Sequence, residues 1–423
     1  MKADATKAIL ISAKLKTEKG RENELEELES LCLTMGMKSA LKMRLRLHSY
    51  NSSTFIGRGK IEEIKALINE LGINSIVFDN EISPTQERNL HQLLNTPIVT
   101  RTKLILEIFS SRARTREGKL QVELANLSYN LSRLSGRGKF LSQQRGIIGA
   151  RGPGEREIEY KRRIIQNKIV HLKNEIESIK KERAVQNKNR NAIPSPQVAI
   201  VGYTNTGKST LLSRLTKGKH NIYADNKLFA TLDPLTKRVD FQGGGTALFT
   251  DTVGFIQKLP HMLIAAFRAT MEEILDSDLI IHLHDISSPQ CMFQHETVEN
   301  TLRELAEIKK KPLPEILNVF NKIDLAPNGK YLRKKFSGFN PVFISAATGK
   351  GIKELLRATK KRLQKRWKPR KLKIPLKQCN ILHEIYKSSM DVRTRSFNKT
   401  VLVKFAATDE NYARISSKLL SEI

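Results

Sequence analysis

The sequence predicts a multidomain α/β protein. Strand-like and helix-like segments alternate over residues 7–115 and again over 197–366, and two heptad-patterned helices lie between these regions. A chain of 423 residues with 39% apolar content can hold two to four separate cores. The expected division is an N-terminal parallel α/β domain over 1–115 and a long antiparallel helical hairpin over 116–192. A second α/β domain follows over 193–366, and a small C-terminal α+β domain over 367–423 closes the chain.

In the first region, "KAILISAKL", "LKMRLRLHSY", "SIVFD" and "PIVTR" read as strands. Between them "ENELEELESLCLTMG", "KIEEIKALINELG" and "TQERNLHQLLN" carry helical periodicity. Strand and helix in strict turn imply a parallel sheet with crossover helices. Ser83-Pro84 supplies a helix N-cap followed by proline in the first helical position. Gly57-Arg58-Gly59-Lys60 reads as a small anion nest or, more simply, as a helix lead-in.

From residue 117 the period changes. Leu120, Leu124, Leu127, Leu131 and Leu134 step by fours and threes, as do Ile165, Ile169, Leu172, Ile176 and Ile179, with Ile158 one heptad earlier. Two such helices form an antiparallel pair with an apolar seam. They are joined by "SGRGKFLSQQRGIIGARGPGE", which is too rich in glycine to be helical. Arg137, Lys139, Arg145 and Arg151 on this loop suit contact with a recessed, phosphate-rich surface. A solvated basic turn is the plainer reading.

The second region opens with "QVAIVG", a strand running straight into "YTNTGKSTLLSRLT". Gly202-x-x-x-x-Gly207-Lys208-Ser209 is thus a P-loop in its required strand–loop–helix setting. Gly202, Tyr203, Thr204, Asn205, Thr206, Gly207 and Thr210 are expected to line the phosphates. Lys208 should reach the β- and γ-oxygens, and Ser209 should ligate Mg²⁺. Asp251-Thr252-Val253-Gly254 follows at a strand end. Asp251 would hold Mg²⁺ through a water, and the Gly254 N–H would sense the γ-phosphate. Between these motifs lie Phe229, Ala230 and Thr231, with Thr231 the candidate switch threonine over Mg²⁺ and γ-phosphate. Asn321-Lys322-Ile323-Asp324 ends a later strand. Its Asp324 carboxylate can accept from guanine N1–H and the exocyclic amine, which selects GTP over ATP. Ser345-Ala346-Ala347 ends the next strand, and the Ala346 N–H is expected to meet guanine O6. The five motifs in this order specify a P-loop domain that binds and hydrolyses GTP, with Lys208, Thr231, Asp251 and Gly254 in the catalytic roles. Phe255 stands where many such switches carry a water-orienting glutamine. It can be read as packing into an apolar switch pocket, and it suits an enzyme completed by a partner.

Charge points to that partner. There are 74 Lys+Arg against 43 Asp+Glu, giving a net charge of +31 and a pI near 10.0. Such an excess implies a polyanion, nucleic acid above all. Residues 353–373 hold 11 Lys/Arg in 21 positions, which reads as an RNA contact or an exposed helix face. Trp367, within it, is expected to anchor a domain junction. The tail should contain a strand at "TVLVKFAA" and a helix at "DENYARISSKLL". No run of about 18 apolar residues suggests a membrane span. The N-terminus lacks the pattern of a signal peptide. Cys32, Cys291 and Cys379 form neither a disulfide framework nor a zinc knuckle, which fits the cytoplasm.

The sequence resembles the HflX family of ribosome-associated GTPases over nearly its whole length. The resemblance lies in "SPTQERNL", "RTKLILEIFSSRARTREGKLQVELA", "RGPGE" followed by "EIEYKRR", "FATLDPLTKRV" and "DTVGFIQKLP". It implies a cytoplasmic, monomeric GTPase using GTP/GDP and Mg²⁺. It also implies binding to the large ribosomal subunit and its rRNA, with the hairpin loop reaching the peptidyl-transferase region. Splitting of stalled ribosomes and stimulation of hydrolysis by the ribosome follow from the same resemblance. Arg145 and Ile147 stand where the family's loop usually has glycines. The other readings are a GTPase of ribosome assembly, a nucleotide-dependent RNA-binding or remodelling protein, and regulation at a membrane surface through the basic stretch.

Overall fold

A computed structural model describes residues 6–17, 24–134, 153–190, 195–216, 229, 234–242, 244–258, 273–326 and 336–421. They fall into two compact units, one built on the N-terminal sheet and the helical pair as far as Ile179, the other on two later sheets.

In the first unit four parallel strands lie in the order β2-β1-β3-β4, with β1 at Lys7–Leu15, β2 at Lys38–Leu47, β3 at Ser75–Phe78 and β4 at Ile98–Thr100. The helices α1 (Glu24–Thr34), α2 (Arg58–Leu71) and α3 (Pro84–Leu94) make the crossovers. Ile9 and Ile11 of β1 pair with Ile76 and Phe78 of β3, and all four are fully buried. A central parallel strand is covered on both faces, so β1 reads as an unbroken apolar run. The Ser83 cap forms as expected. Its side chain accepts from the Gln86 N–H at 3.2 Å, and the Gln86 side chain accepts from the Ser83 N–H at 2.9 Å. The glycines at 57 and 59 sit in open space at the start of α2 and serve as a helix lead-in.

Helix α4 (Arg101–Arg112) had no counterpart among the expected helices. Thr102, Leu104, Ile105, Leu106, Ile108 and Phe109 are all buried, and only a narrow polar face of Lys103, Glu107, Ser110 and Ser111 carries the helical period. At its start the buried Arg101 bridges Asp79 at 2.7 Å and also contacts Glu27. The heptad seam forms between α5 (Arg116–Leu134) and α6 (Pro153–Arg190). Leu124, Ile169, Leu172 and Ile176 are buried together, flanked by Leu120, Leu127, Leu131 and Ile165. The joining loop, with Arg137, Lys139, Arg145 and Arg151, lies outside the described residues.

The second unit contains a six-stranded sheet of order β10-β9-β8-β5-β7-β6. Its strands are β5 (Gln197–Gly202), β6 (Leu235–Asp240), β7 (Thr246–Asp251), β8 (Leu279–Asp285), β9 (Ile316–Asn321) and β10 (Val342–Phe343). All neighbours are parallel except β6, an antiparallel edge on β7. Helices α7 (Lys208–Leu215), α8 (Cys291–Lys309) and α9 (Ile352–Leu363) accompany it. Strand β6 was not anticipated, since half-exposed "LTKRVD" carries one buried apolar residue, Val239.

Beyond 366 the basic stretch is a strand rather than a helix face. It forms β11 (Lys368–Pro375), the edge of an antiparallel sheet of order β11-β13-β12 with β12 at Met390–Phe397 and β13 at Thr400–Ala407. Helices α10 (Asn380–Ser388) and α11 (Asp409–Ser421) cover it through Ile381, Ile385 and Ile415. The expected strand and helix at "TVLVKFAA" and "DENYARISSKLL" are present. Several basic residues of 353–373 are engaged by acids. Lys360 meets Asp391 at 2.8 Å, Arg362 and Lys365 meet Glu315 at 3.2 and 2.9 Å, and Lys368 meets Asp409 at 2.7 Å. Trp367 packs against the core of the six-stranded sheet, as does the fully buried Met390 of β12. Met390 fills the space at Gly245, where a Cβ would stand 2.6 Å from its Cγ.

Candidate nucleotide site

Strand β5 delivers the chain into the phosphate loop at Gly202, where a Cβ would lie 2.4 Å from the Leu283 carbonyl. The loop then closes through left-handed Asn205 (φ 60) and Gly207 (φ 93). At Gly207 a Cβ would also meet Asn321 Nδ2 at 2.5 Å, so a side chain is excluded there by conformation and by space. Helix α7 begins at Lys208. The loop and the helix N-terminus together present backbone N–H groups for an anion.

Lys208 is buried, and its Nζ donates to the Gly202 and Tyr203 carbonyls at 3.2 and 2.8 Å. Burial lowers its pKa to about 8, and nearby Asp251 opposes that shift. Ser209 Oγ donates to Asp251 Oδ2 at 2.6 Å, joining the head of α7 to the end of β7. Thr252 donates to the Ile200 carbonyl at 2.8 Å, and Thr206 to that of Tyr203 at 2.9 Å.

The segment after Asp251 is held to the phosphate loop by main-chain bonds. The Phe255 N–H donates to the Gly202 carbonyl at 3.1 Å, and the Thr204 N–H to the Phe255 carbonyl at 2.8 Å. Tyr203 Oη accepts from the Gln257 N–H at 2.8 Å. The Phe255 side chain is only 3% exposed, so it packs as an apolar residue. Gly254 lies so close to Thr204 and Lys208 that a Cβ would stand 2.9 Å from Thr204 Cγ2 and 3.0 Å from Lys208 Nζ. Sequence reasoning did not anticipate this bridge, because main-chain pairing leaves no residue signature.

Asn321 ends β9 and links two loops. Its Nδ2 donates to the Thr206 carbonyl, and its Oδ1 accepts from the Ala346 N–H, both at 2.8 Å. The Ala346 amide, expected to meet guanine O6, is therefore already engaged by Asn321. The next residue, Ala347, is exposed. Arg214 of α7 holds this loop from behind by donating to the Ala346 carbonyl at 3.1 Å and to that of Ala347. Ser345 Oγ accepts from the Thr348 N–H at 3.1 Å. Lys322, at φ 65, directs its ammonium to Asp285 at 2.6 Å, and Asp324 is exposed. Arg214 is the contributor the sequence concealed, a basic residue in a helix with no motif around it.

The second unit thus brings together Gly202 to Thr210, Asp251 to Gly254, Asn321, Lys322, Asp324 and Ser345 to Ala347. Phe229 belongs to the first unit's packing, with its ring 4.5 Å from that of Phe109. Ala230 and Thr231 lie outside the described residues.

Fold and motif order define a P-loop GTPase that binds guanine nucleotide. Residues 22–110, 112–190 and 197–322 match the families described as "GTP-binding GTPase N-terminal", "GTP-binding GTPase Middle Region" and "50S ribosome-binding GTPase". The chain belongs to the HflX family of GTPases. It is 48% identical over 350 residues to GTPase HflX of Lacrimispora saccharolytica, covering 83% of this chain and 81% of that one. Identity to GTPase HflX of Caldanaerobacter subterraneus subsp. tengcongensis is 38%, over 99% of this chain and 95% of the relative. For GTPase HflX of Escherichia coli it is 38%, over 90% and 88%. Among the described residues no helix is long and apolar enough to cross a membrane.

Proposed function

We propose that this GTPase binds the large ribosomal subunit and promotes the dissociation or rescue of stalled ribosomes. The match of its nucleotide domain to the 50S ribosome-binding GTPases is the observation that carries this reading. A net charge of +31 supports rRNA as the surface contacted. The hairpin loop, with Arg137, Lys139, Arg145 and Arg151, is the segment assigned to that contact. The domain division at 115, 192 and 366 belongs to the same proposal, as does action by a monomer in the cytoplasm.

Lys208 is assigned to the β- and γ-phosphates, Asp324 to the guanine edge, and the Ala346 N–H, which Asn321 Oδ1 engages, to guanine O6. The 2.6 Å approach of Ser209 to Asp251 fits a hydrated divalent ion, with Ser209 as direct ligand, Asp251 acting through a water, and Thr231 closing from the switch. Mg²⁺ held there would neutralise charge on the transferring phosphoryl group. Because Phe255 is buried and has no group to orient water, hydrolysis by the free protein is slow and ribosomes accelerate it. The test is GTP turnover with and without purified large subunits. Turnover that is fast alone and unchanged by subunits would overturn the stimulated-enzyme reading. Sucrose gradients of 70S ribosomes with the protein and a GTP analogue separate splitting from assembly, since intact 70S would favour assembly.

A further inference from the structure

Three buried histidines sit together behind the phosphate loop. His282 and His284 lie two residues apart on one face of β8, and His295 of α8 packs against both. Their ring centroids are 3.9 to 5.2 Å apart, and one ligating nitrogen from each ring falls within 4.8 Å of the others. His282 pairs in register with Val201, one residue before Gly202. From this cluster we propose a binding site for a divalent transition-metal ion of the Zn²⁺ class, separate from the Mg²⁺ position at Ser209 and Asp251.

The wiring of the rings supports this. His284 Nε2 lies 3.0 Å from Asn318 Oδ1, an acceptor, so this nitrogen carries the proton and Nδ1 holds the free lone pair. His295 Nε2 faces Glu299 Oε1 at 3.6 Å. Its Nδ1, like that of His282, is buried without a hydrogen-bond partner. Buried polar atoms are ordinarily satisfied, and two orphaned imidazole nitrogens in one cluster need an explanation. An amide and a carboxylate on the far nitrogens are the outer partners that fix ligating histidines. Burial keeps the rings neutral by lowering their pKa values, His284 to about 4, and neutral imidazole is the ligating form. Phe320 and Phe339 wall the cluster, with centroids 4.7 Å from His284 and 5.0 Å from His295. Three imidazoles with no carboxylate among the ligands favour Zn²⁺ over Mg²⁺. Zn–N bonds of about 2.1 Å set tetrahedral nitrogens about 3.4 Å apart, so the rings would rotate inward and leave a fourth position for water. The ion would fasten α8 to β8 beneath the phosphate loop.

The test uses full-length, nucleotide-free protein treated with chelator and titrated with Co²⁺. We expect saturable binding of one Co²⁺ per chain, with visible absorption of a four- or five-coordinate site, displaced by Zn²⁺ and not by Mg²⁺. His295→Gln should weaken Zn²⁺ binding at least about 10-fold, and Glu299→Gln, at a partly exposed position that tolerates change, should weaken it by a similar factor. Absence of a saturable site in the wild type would overturn the proposal. So would unchanged affinity in a folded His295→Gln variant or, should that variant not fold, in Glu299→Gln.

Discussion

Replacing Asn321 with alanine tests whether this side chain is chiefly a structural tie or chiefly a base-contacting group. It makes two 2.8 Å bonds, to the Thr206 carbonyl and from the Ala346 N–H, and Asn321, Thr206 and Ala346 are all at most 2% exposed. The truncation leaves both main-chain groups buried without that partner. Each such group costs about 1–3 kcal/mol, so a total near 3 kcal/mol is expected. For a cooperative unit of this size that lowers Tm by about 6–12 °C, because each kcal/mol shifts it by about 2–4 °C. Both tied loops are assigned to the nucleotide, one to its phosphates and one to its base, so GDP affinity should fall by up to about 100-fold. The assay is thermal unfolding of nucleotide-free protein alongside titration with a fluorescent GDP analogue. A residue acting only on the base would lose affinity and keep its apo Tm. An apo Tm within about 1 °C of wild type would refute the tie.

Asp324→Asn should reduce the preference for GTP over ATP by about 10-fold or more, since it would remove the charge-assisted pair of bonds proposed for the guanine edge; competition binding with the two nucleotides checks this, and unchanged preference would remove Asp324 from base recognition. Arg101→Ala should destabilise the first unit by about 3–5 kcal/mol in denaturant titrations, because it removes the buried cation that faces the Asp79 carboxylate; a loss under about 1 kcal/mol would contradict that. Cys32 is fully buried, and burial with Glu29 nearby pushes its thiol up to about 12. It should resist a thiol reagent at pH 8 in the native protein while the half-exposed Cys379 reacts. Rapid labelling of Cys32, located by peptide mapping, would refute its burial.

The sequence made visible those parts of the fold that repeat or alternate. The strands of the first sheet stand out because crossover helices of clear period separate them, and Leu124, Ile169, Leu172 and Ile176 declared the helical seam by spacing alone. The phosphate-loop motifs were legible because each needs particular side chains at fixed distances. Helix α4 was hidden because most of its circumference is buried and only the narrow face of Lys103, Glu107, Ser110 and Ser111 is polar. Strands β6 and β11 were hidden by charge, which in β11 is matched across space by Asp409 rather than by near neighbours in sequence. The engagement of the Ala346 amide by Asn321 joins residues 25 apart, and the Phe255 bridge is made by main-chain atoms. The pairing of His282 and His284 on one face follows from strand alternation. The arrival of His295 does not, because it depends on how α8 docks.

The contact of Met390 with Gly245 bears on how the protein is made. The core of the six-stranded sheet is completed by a methionine far along the chain from the strands it packs against. A nascent chain folds from its N-terminus, so the first unit can assemble while synthesis continues. The core of the six-stranded sheet therefore closes only once β12, 145 residues beyond Gly245, has been made, and a polypeptide cut short before β12 would leave the space at Gly245 unfilled.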